Sequence, residues 1–188
     1  MNSVDVIKRD LKKILSEYRY LHCLRVADLS RELAHIYHVD VYKAYLAGLV
    51  HDIAKEFSVD DNKNIIYKYN LPIELLNRDY SKILHSDIGA CIARYKYELS
   101  EDICHAVLSH TIGDIPMNTL DKIVFVADKI EPFKNYEGID EEREMAYHDI
   151  HEATIMCISN NHKKLMKQHK RIYPKSMEVL KYLKENKE

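Results

Sequence analysis

The chain of 188 residues is long enough for one domain with a sizeable hydrophobic core. Its formal net charge of −2 provides no general positive field of the kind that nucleic-acid-binding proteins use. The first residues, MNSVDVIKRDLKK, lack the apolar centre of a secretory signal, and no apolar run approaches the roughly 20 residues that a membrane span requires. A cytoplasmic protein without nucleic-acid or membrane partners is therefore expected.

Glycine and proline are scarce, with four of each, which predicts an all-α protein. The spacing of apolar residues predicts eight to nine helices and no strand. Along the chain, the predicted helices cover residues 3–16, 19–38, 41–55, 58–70, 85–97, 100–110, 118–131, 141–167 and 171–186, with a short helix at 72–79. Predicted caps and terminating residues are Asp40, Ser58, Asn70, Pro72, Ser100, Asn118, Pro132 and Pro174. No repeat or linker interrupts the chain, so residues 1–188 are expected to form a single domain.

The four cysteines are scattered and form no C-x-x-C pair. This pattern argues against a disulfide framework or a thiolate zinc site, and it fits a reducing cytoplasm. The count of eleven histidines is the unusual feature of the composition.

Six histidines and aspartates stand between apolar residues on predicted helices, and they are His22, His51, Asp52, His85, His110 and Asp128. Polar groups in such places must be hydrogen-bonded, paired or bound to metal. Imidazoles and carboxylates suit iron, manganese and related divalent ions. Four histidines and two aspartates exceed the needs of one tetrahedral ion, so they predict two ions with Asp52 as the bridge. Two neighbouring ions activate water and stabilise both oxygens of a phosphoryl displacement.

The segments around these residues read HCLRVADLSRELA, AGLVHDIAKE, ILHSDIGA, LSHTIGD and KIVFVADKIEP, in that order. They resemble the HD-domain metallophosphohydrolases, and in particular the branch of symmetrical bis(5′-nucleosyl)-tetraphosphatases, over residues 15–175. The resemblance implies an all-α bundle around a di-metal centre, usually of iron, with manganese, cobalt or magnesium as alternatives. It implies cleavage of diadenosine tetraphosphate and related dinucleoside tetraphosphates into two nucleoside diphosphates, and often a homodimer.

The resemblance also implies a division of the ligands. His22, His51, Asp52 and Asp128 would hold one ion, and Asp52, His85 and His110 the other. Asp52 and Lys55 are the residues expected to act in catalysis.

A bound polyphosphate is expected to need cationic side chains in addition to the metal ions. Arg25 and Lys55 each lie one helical turn after a candidate ligand and are predicted to contact phosphate. Ser86 and Thr111 are small groups beside ligands that would let the substrate approach. The resemblance further implies that residues 160–188 pack near the nucleotide. The remaining predicted substrate contacts are Lys134, Arg171 and Tyr173.

Within that set, Arg171 is expected to hold phosphate and Tyr173 to face the nucleoside. Lys134 stands where the family often has arginine, and a lysine keeps the charge but loses bidentate geometry.

Two alternatives stay open at this point. Another HD hydrolase, acting on a deoxynucleotide, a cyclic nucleotide or an alarmone, would use the same ligands. A non-catalytic nucleotide-binding module would keep the fold without turnover, although the intact ligand set argues against it. The other seven histidines, His105 and His151 among them, are predicted to be ordinary core or surface residues.

Overall fold

The structure, a computed structural model, describes residues 3–76 and 82–186. These residues form ten α-helices and one short 3₁₀ helix, without a strand, which confirms the all-α prediction at a slightly higher helix count. The helices are α1 Ser3–Ile14, α2 Glu17–Ile36, α3 Val41–Val50, α4 Val59–Lys68, α5 Leu84–Tyr95, α6 Glu101–Ser109, α7 Thr119–Ile130, α8 Ile139–His148, α9 Ile150–Lys167 and α10 Pro174–Glu185. The predicted short helix at 72–79 is the 3₁₀ helix Ile73–Leu76, and residues 77–79 lie outside the described part.

Helix α7 forms the centre of the bundle. It packs against α2, α3, α6 and α9, and its residues from Leu120 to Ala127 are all buried. Burial on every side favours apolar residues on every side, and the run IVFVA supplies these after the buried polar residues Asp121 and Lys122. The polar residue that follows this run, Asp128, is thereby carried into the interior of the protein.

Helices α2 and α3 approach each other unusually closely at Gly48. A Cβ atom at this position would lie 2.8 Å from the Cα atom of Ala27 and 2.9 Å from Oγ of Ser30. Glycine is thus required for the contact, because a larger residue at this position would force one of the two helices to move. The close approach brings the end of α3, which carries His51, next to His22 on α2.

The third helix is shorter than predicted. It ends at Val50, and residues 51–56 form consecutive tight turns in which the amide of Ile53 donates to the carbonyl of Val50 and that of Lys55 to Asp52. The side chain of His51 donates from Nδ1 to the carbonyl of Gly48, at 2.7 Å, and so satisfies a carbonyl group at the helix end. The apolar pattern continues into these turns because residues 51–54 are buried as well, which explains the incorrect prediction.

The long helix predicted at 141–167 is also incorrect, because the structure divides it into α8 and α9. Asp149 takes an extended conformation between them, with φ −151° and ψ 104°. Its carboxylate accepts from the amide of Glu152 at 3.0 Å, so it caps the start of α9. Apolar spacing alone does not reveal a break whose two sides both pack on the core.

Of the other predicted caps, Asp40, Ser58 and Asn118 accept backbone amides of α3, α4 and α7. Ser100 occupies the position before α6, but its hydroxyl donates to Asp102 instead. Throughout the two described segments, no helix has the length and hydrophobicity that crossing a membrane would need.

The seven remaining histidines behave as predicted in their contacts. His151 and His162 are buried and join α9 to α10, through the Leu183 carbonyl and the Ser176 hydroxyl, each at 2.9 Å. His105 bonds the buried carboxylate of Asp121 at 2.9 Å. The other four are exposed, and they are His35, His38, His148 and His169.

Candidate metal centre

All six candidate ligands meet at one place in the interior. They come from separate segments: His22 from the middle of α2, His51 and Asp52 from the turn after α3, His85 from the first turn of α5, His110 from the end of α6, and Asp128 from α7. Five of the six are buried, and only Asp128 reaches an intermediate exposure.

The two oxygen atoms of Asp52 face different sets of ligands. Its Oδ2 lies 3.5 Å from Nε2 of His51 and 3.8 Å from Nε2 of His22. These two imidazoles also face Oδ1 of Asp128, at 3.6 and 3.1 Å. His22, His51 and Asp128 therefore form one compact group that could hold a cation, with Asp52 at its edge.

The other oxygen, Oδ1 of Asp52, faces His85 and His110. It lies 3.3 Å from Nε2 of His85 and 3.5 Å from Nε2 of His110, and those two nitrogen atoms are 3.1 Å apart. One carboxylate thus connects two sets of donors, which is the arrangement that a bridging ligand requires.

The Nδ1 atoms of three imidazoles are already engaged elsewhere. Those of His51 and His110 donate to the carbonyls of Gly48 and Val107, at 2.7 and 2.6 Å, and that of His22 donates to the carboxylate of Glu131 at 3.2 Å. A neutral imidazole that carries its proton on Nδ1 presents a lone pair at Nε2. The Nε2 lone pairs of all three rings therefore point to the common centre.

This donor set fits divalent metal ions. Nitrogen atoms that all present lone pairs cannot bond one another, and Oδ1 of Asp52 is buried without a hydrogen-bond donor. A cation satisfies all of these groups at once, and imidazole with carboxylate is a suitable environment for iron, manganese or cobalt. The ligands His22, His51, Asp52 and Asp128 would hold one ion, and Asp52, His85 and His110 a second.

The pKa values of the candidate ligands also favour a bound cation. Burial alone would raise the pKa of Asp52, but the facing imidazoles of His51 and His110 hold it well below its usual range. Burial, His110 and Lys55 lower the pKa of His85 to about 2, so this ring is neutral. Burial is outweighed at His51, where Asp52 and Asp128 raise the pKa to about 9, so without a bound ion a proton takes the place on Nε2 where the lone pair would otherwise meet a metal. The carboxylates thus draw positive charge to the centre, which either a proton or a metal ion supplies.

Three cationic side chains surround the ligands. Nζ of Lys55 lies 3.0 Å from Nε2 of His85, and Nζ of Lys129 lies 2.6 Å from Oδ2 of Asp128. Nη1 of Arg19 donates to Oδ2 of Asp52 at 2.7 Å. Burial lowers the pKa of Lys55 despite the attraction of Asp52. Sequence reasoning found Lys55 but missed Arg19 and Lys129, although Arg19 precedes His22 by one helical turn and so shares its face.

Comparison with known proteins agrees with this geometry. The family model described as the HD domain matches residues 19–132, more than half of the chain, and that range contains all six candidate ligands. The chain belongs to the HD-domain family of hydrolases.

Curated relatives place it within one group of HD proteins. It is 34% identical over 165 residues to a symmetrical bis(5′-nucleosyl)-tetraphosphatase of Bacillus subtilis, covering 87% of this chain and 88% of that protein. It is 38% identical over 146 residues to the protein of the same name from Staphylococcus aureus, covering 77% and 75% of the two chains. These relatives confirm the resemblance inferred from the sequence.

A solved structure confirms the fold. A crystal structure described as a predicted HD superfamily hydrolase involved in NAD metabolism, from Clostridium acetobutylicum, superimposes with a TM-score of 0.88. It is 34% identical in sequence, and the match covers 98% of both chains. The fold of that chain therefore matches nearly the whole of this one, including α10.

Arg25 does not point at the ligands of the HD centre. Its Nε donates to Oε2 of Glu131 at 2.7 Å, and its guanidinium lies 4.4 Å from the ring centre of Phe133. Glu131 is buried and also accepts from Nδ1 of His22, and burial is outweighed by Arg25, so the pKa of Glu131 is lowered. Arg25 and Glu131 together fix the orientation of His22, and Glu131 is a site residue that the sequence analysis missed.

We expect Glu131→Gln to weaken metal binding by about 10- to 100-fold, the usual effect of removing a carboxylate that orients a metal-binding histidine. The amide keeps the shape but loses the charge that holds the His22 proton on Nδ1. The measurement is the metal content per chain after dialysis against graded free-metal concentrations.

Glu144→Gln on the exposed face of α8 is the control, because it removes the same charge away from the centre. Equal metal retention by the two variants would show that Glu131 does not orient a ligand.

The remaining predicted substrate residues divide between two places. Oγ1 of Thr111 lies 3.2 Å from Nε2 of both His85 and His110, at the centre itself. Ser86 is buried and its hydroxyl donates to the carbonyl of Ile83 at 2.6 Å, so it closes a turn. Ser86 still lines a cavity of about 270 Å³ together with Arg171 and Tyr173.

Lys134 lies elsewhere, in the loop between α7 and α8. It borders a second cavity, which it shares with Lys129 and residues of α9. Ser86, Arg171 and Tyr173 thus adjoin one cavity and Lys134 another.

Proposed function

We propose that this HD-domain protein hydrolyses diadenosine tetraphosphate and related dinucleoside tetraphosphates symmetrically, to two nucleoside diphosphates. The observation that carries the proposal is the position of Asp52, whose two oxygen atoms connect two sets of metal-binding donors. Two-ion centres suit phosphoric anhydride cleavage, and the curated relatives supply the substrate class.

Two divalent ions, with iron as the proposed native metal, would activate water and neutralise phosphate charge when bound. Side chains of the protein would bind and orient the polyphosphate. Lys55 and Arg19, which already lie at hydrogen-bond distance from ligands, would donate to phosphate oxygens and stabilise charge as it develops. The hydroxyl of Thr111 would donate to a phosphate oxygen from the other side. The buried, apolar surroundings of His51 and Ile53 would limit water to the reacting face.

The cavity of Ser86, Arg171 and Tyr173 would hold one nucleoside diphosphate half. It adjoins His85 through the neighbouring Ser86, and the segment before α10 supplies a guanidinium and an aromatic ring. On this proposal residues 160–188 would lie near the nucleotide, as the resemblance implies. We also propose a cytoplasmic location, which the four free, buried cysteines support.

The test is the product pair. Protein loaded with Fe(II) or Mn(II) should convert diadenosine tetraphosphate to ADP alone, with metal content measured on the same sample. Formation of AMP and ATP would overturn symmetrical cleavage. Faster turnover of a deoxynucleoside triphosphate, a cyclic nucleotide or an alarmone would assign the centre to another substrate. Tight nucleotide binding without turnover under any metal would make it a regulatory module.

A further inference from the structure

A second cavity, of about 640 Å³, lies between the α7–α8 loop and the last turns of α9, and we call it the lysine cavity. Its walls carry five lysines, Lys129, Lys134, Lys163, Lys164 and Lys167. Three of them belong to the end of α9, where a positive charge also complements the helix dipole. The neighbouring amides of Asn160, Asn161 and Gln168 line the same space.

Carboxylates neutralise only part of the positive charge of the lysine cavity, because Lys129 pairs with Asp128 and the other four lysines face two lining carboxylates. Among its lining residues the carboxylates are Glu137 and Glu142. Glu142 is buried and already bonded, accepting from the hydroxyl of Tyr136 and from Nδ2 of Asn160 at 2.9 Å. Lys134, Lys163, Lys164 and Lys167 form no ion pair within residues 3–76 and 82–186. The cavity therefore presents a strong positive potential to whatever enters it.

Lys129 joins the lysine cavity to the metal centre. It lines the cavity, while its ammonium group donates to Oδ2 of Asp128 and to the carbonyl of His110, at 2.6 and 3.1 Å. A polyphosphate bound in the lysine cavity would therefore have one end beside Asp128. The cavity of Arg171 and Tyr173 is instead lined by Ser86, which follows His85 in the chain. The two cavities adjoin ligands of the two different sets that Asp52 connects.

We propose that the lysine cavity is a second polyphosphate subsite, which holds the half of a dinucleoside tetraphosphate opposite the half at Arg171 and Tyr173. The proposal rests on the proposed function for its substrate. A symmetrical substrate carries two phosphates on each side of the bond that breaks, so each half needs its own cationic site. The lysines of the cavity match the two negatively charged phosphates of one half, and the amides of Asn160, Asn161 and Gln168 match its polar nucleoside.

The test uses the double variant K164E/K167E, which reverses two exposed charges of the lysine cavity without touching a metal ligand. We expect KM for diadenosine tetraphosphate to rise by about tenfold or more, while kcat changes by less than about threefold. The affinity for inorganic tripolyphosphate, titrated calorimetrically with the metal-loaded protein, should fall by a similar factor, and the difference should shrink at high salt.

The matched control is K12E/K13E on the exposed face of α1, which changes the net charge equally. Equal KM values and equal tripolyphosphate affinities for the two double variants would overturn the subsite. If the wild-type protein does not hydrolyse diadenosine tetraphosphate, the proposed function fails, and the tripolyphosphate titration still decides whether the cavity binds polyphosphate. Circular dichroism on each variant verifies that the helices are intact.

Discussion

Asp52→Asn is expected to lower hydrolysis of diadenosine tetraphosphate by at least about a thousandfold, more than the loss of a single stabilising donor. Asparagine offers one carbonyl oxygen and one amino group in place of two carboxylate oxygens. One of the two sets of imidazoles would then face hydrogen-bond donors instead of a shared ligand, and the negative charge between the sets would be lost. We therefore expect metal content to fall together with kcat, and both should be measured on the same preparation.

Asp28→Asn is the control for this change, because Asp28 is an exposed aspartate of α2 that pairs only with Arg31 among the described residues. A D52N protein that keeps its full metal content and more than about a tenth of the wild-type kcat would contradict the bridging role, since that role predicts a loss of several powers of ten.

Lys55→Met is expected to lower kcat by about a hundredfold, the loss typical for removal of one preorganised charge from a phosphoryl-transfer site. Methionine keeps most of the length of the side chain but has no ammonium group to place beside His85 and Asp52, which lie 3.0 and 3.9 Å from Nζ. Metal content should stay unchanged, because Lys55 is a cation and cannot be a ligand in that state. Lys55→Arg should recover part of the activity.

Lys82→Met is the matched control, since Lys82 is exposed and borders the same cavity of about 380 Å³ as Lys55 and His85. If Lys55→Met raises only KM, Lys55 holds the substrate without acting on the transition state. If metal content and kcat fall together, its role is to position His85.

The grouping of the six candidate ligands could be predicted from the sequence because each stands inside an apolar run, and their role in binding metal stays a prediction. A polar residue such as Asp128, preceded by FVA, must be buried with its helix, and a buried carboxylate needs a partner. The order of the ligands then indicated the family. This reasoning depends only on local sequence, and it identified every residue that the structure brings to the centre as a donor.

The cations were predicted less well, because their partners depend on how helices approach one another. Arg25 has the right spacing from His22, yet it bonds Glu131, which lies on a different helix terminus. Arg19 bonds Asp52, 33 positions away along the chain, and no local pattern indicates that pair. Lys129 is positioned by α7 next to α6. These contacts follow from tertiary packing, which sequence spacing does not determine.

The sequence also predicted two helix ends incorrectly. The α3 helix ends because the imidazole of His51 bonds the carbonyl of Gly48, and α9 begins because Asp149 turns the chain and caps it. Both events use polar side chains at buried or half-buried positions. The hydrophobic pattern is continuous across them, so it predicted one helix in each case.

The bonds from Nδ1 of His51 and His110 to the ends of their own helices also affect the entropy of ion binding. Each imidazole is held to a carbonyl three residues earlier, so its ring orientation is fixed as soon as the helix forms. Immobilising a free side chain on binding costs about 0.5–1.5 kcal/mol. Because these two rings become ordered during folding, an ion that reaches the centre finds them already oriented, and more of its interaction energy is retained as affinity.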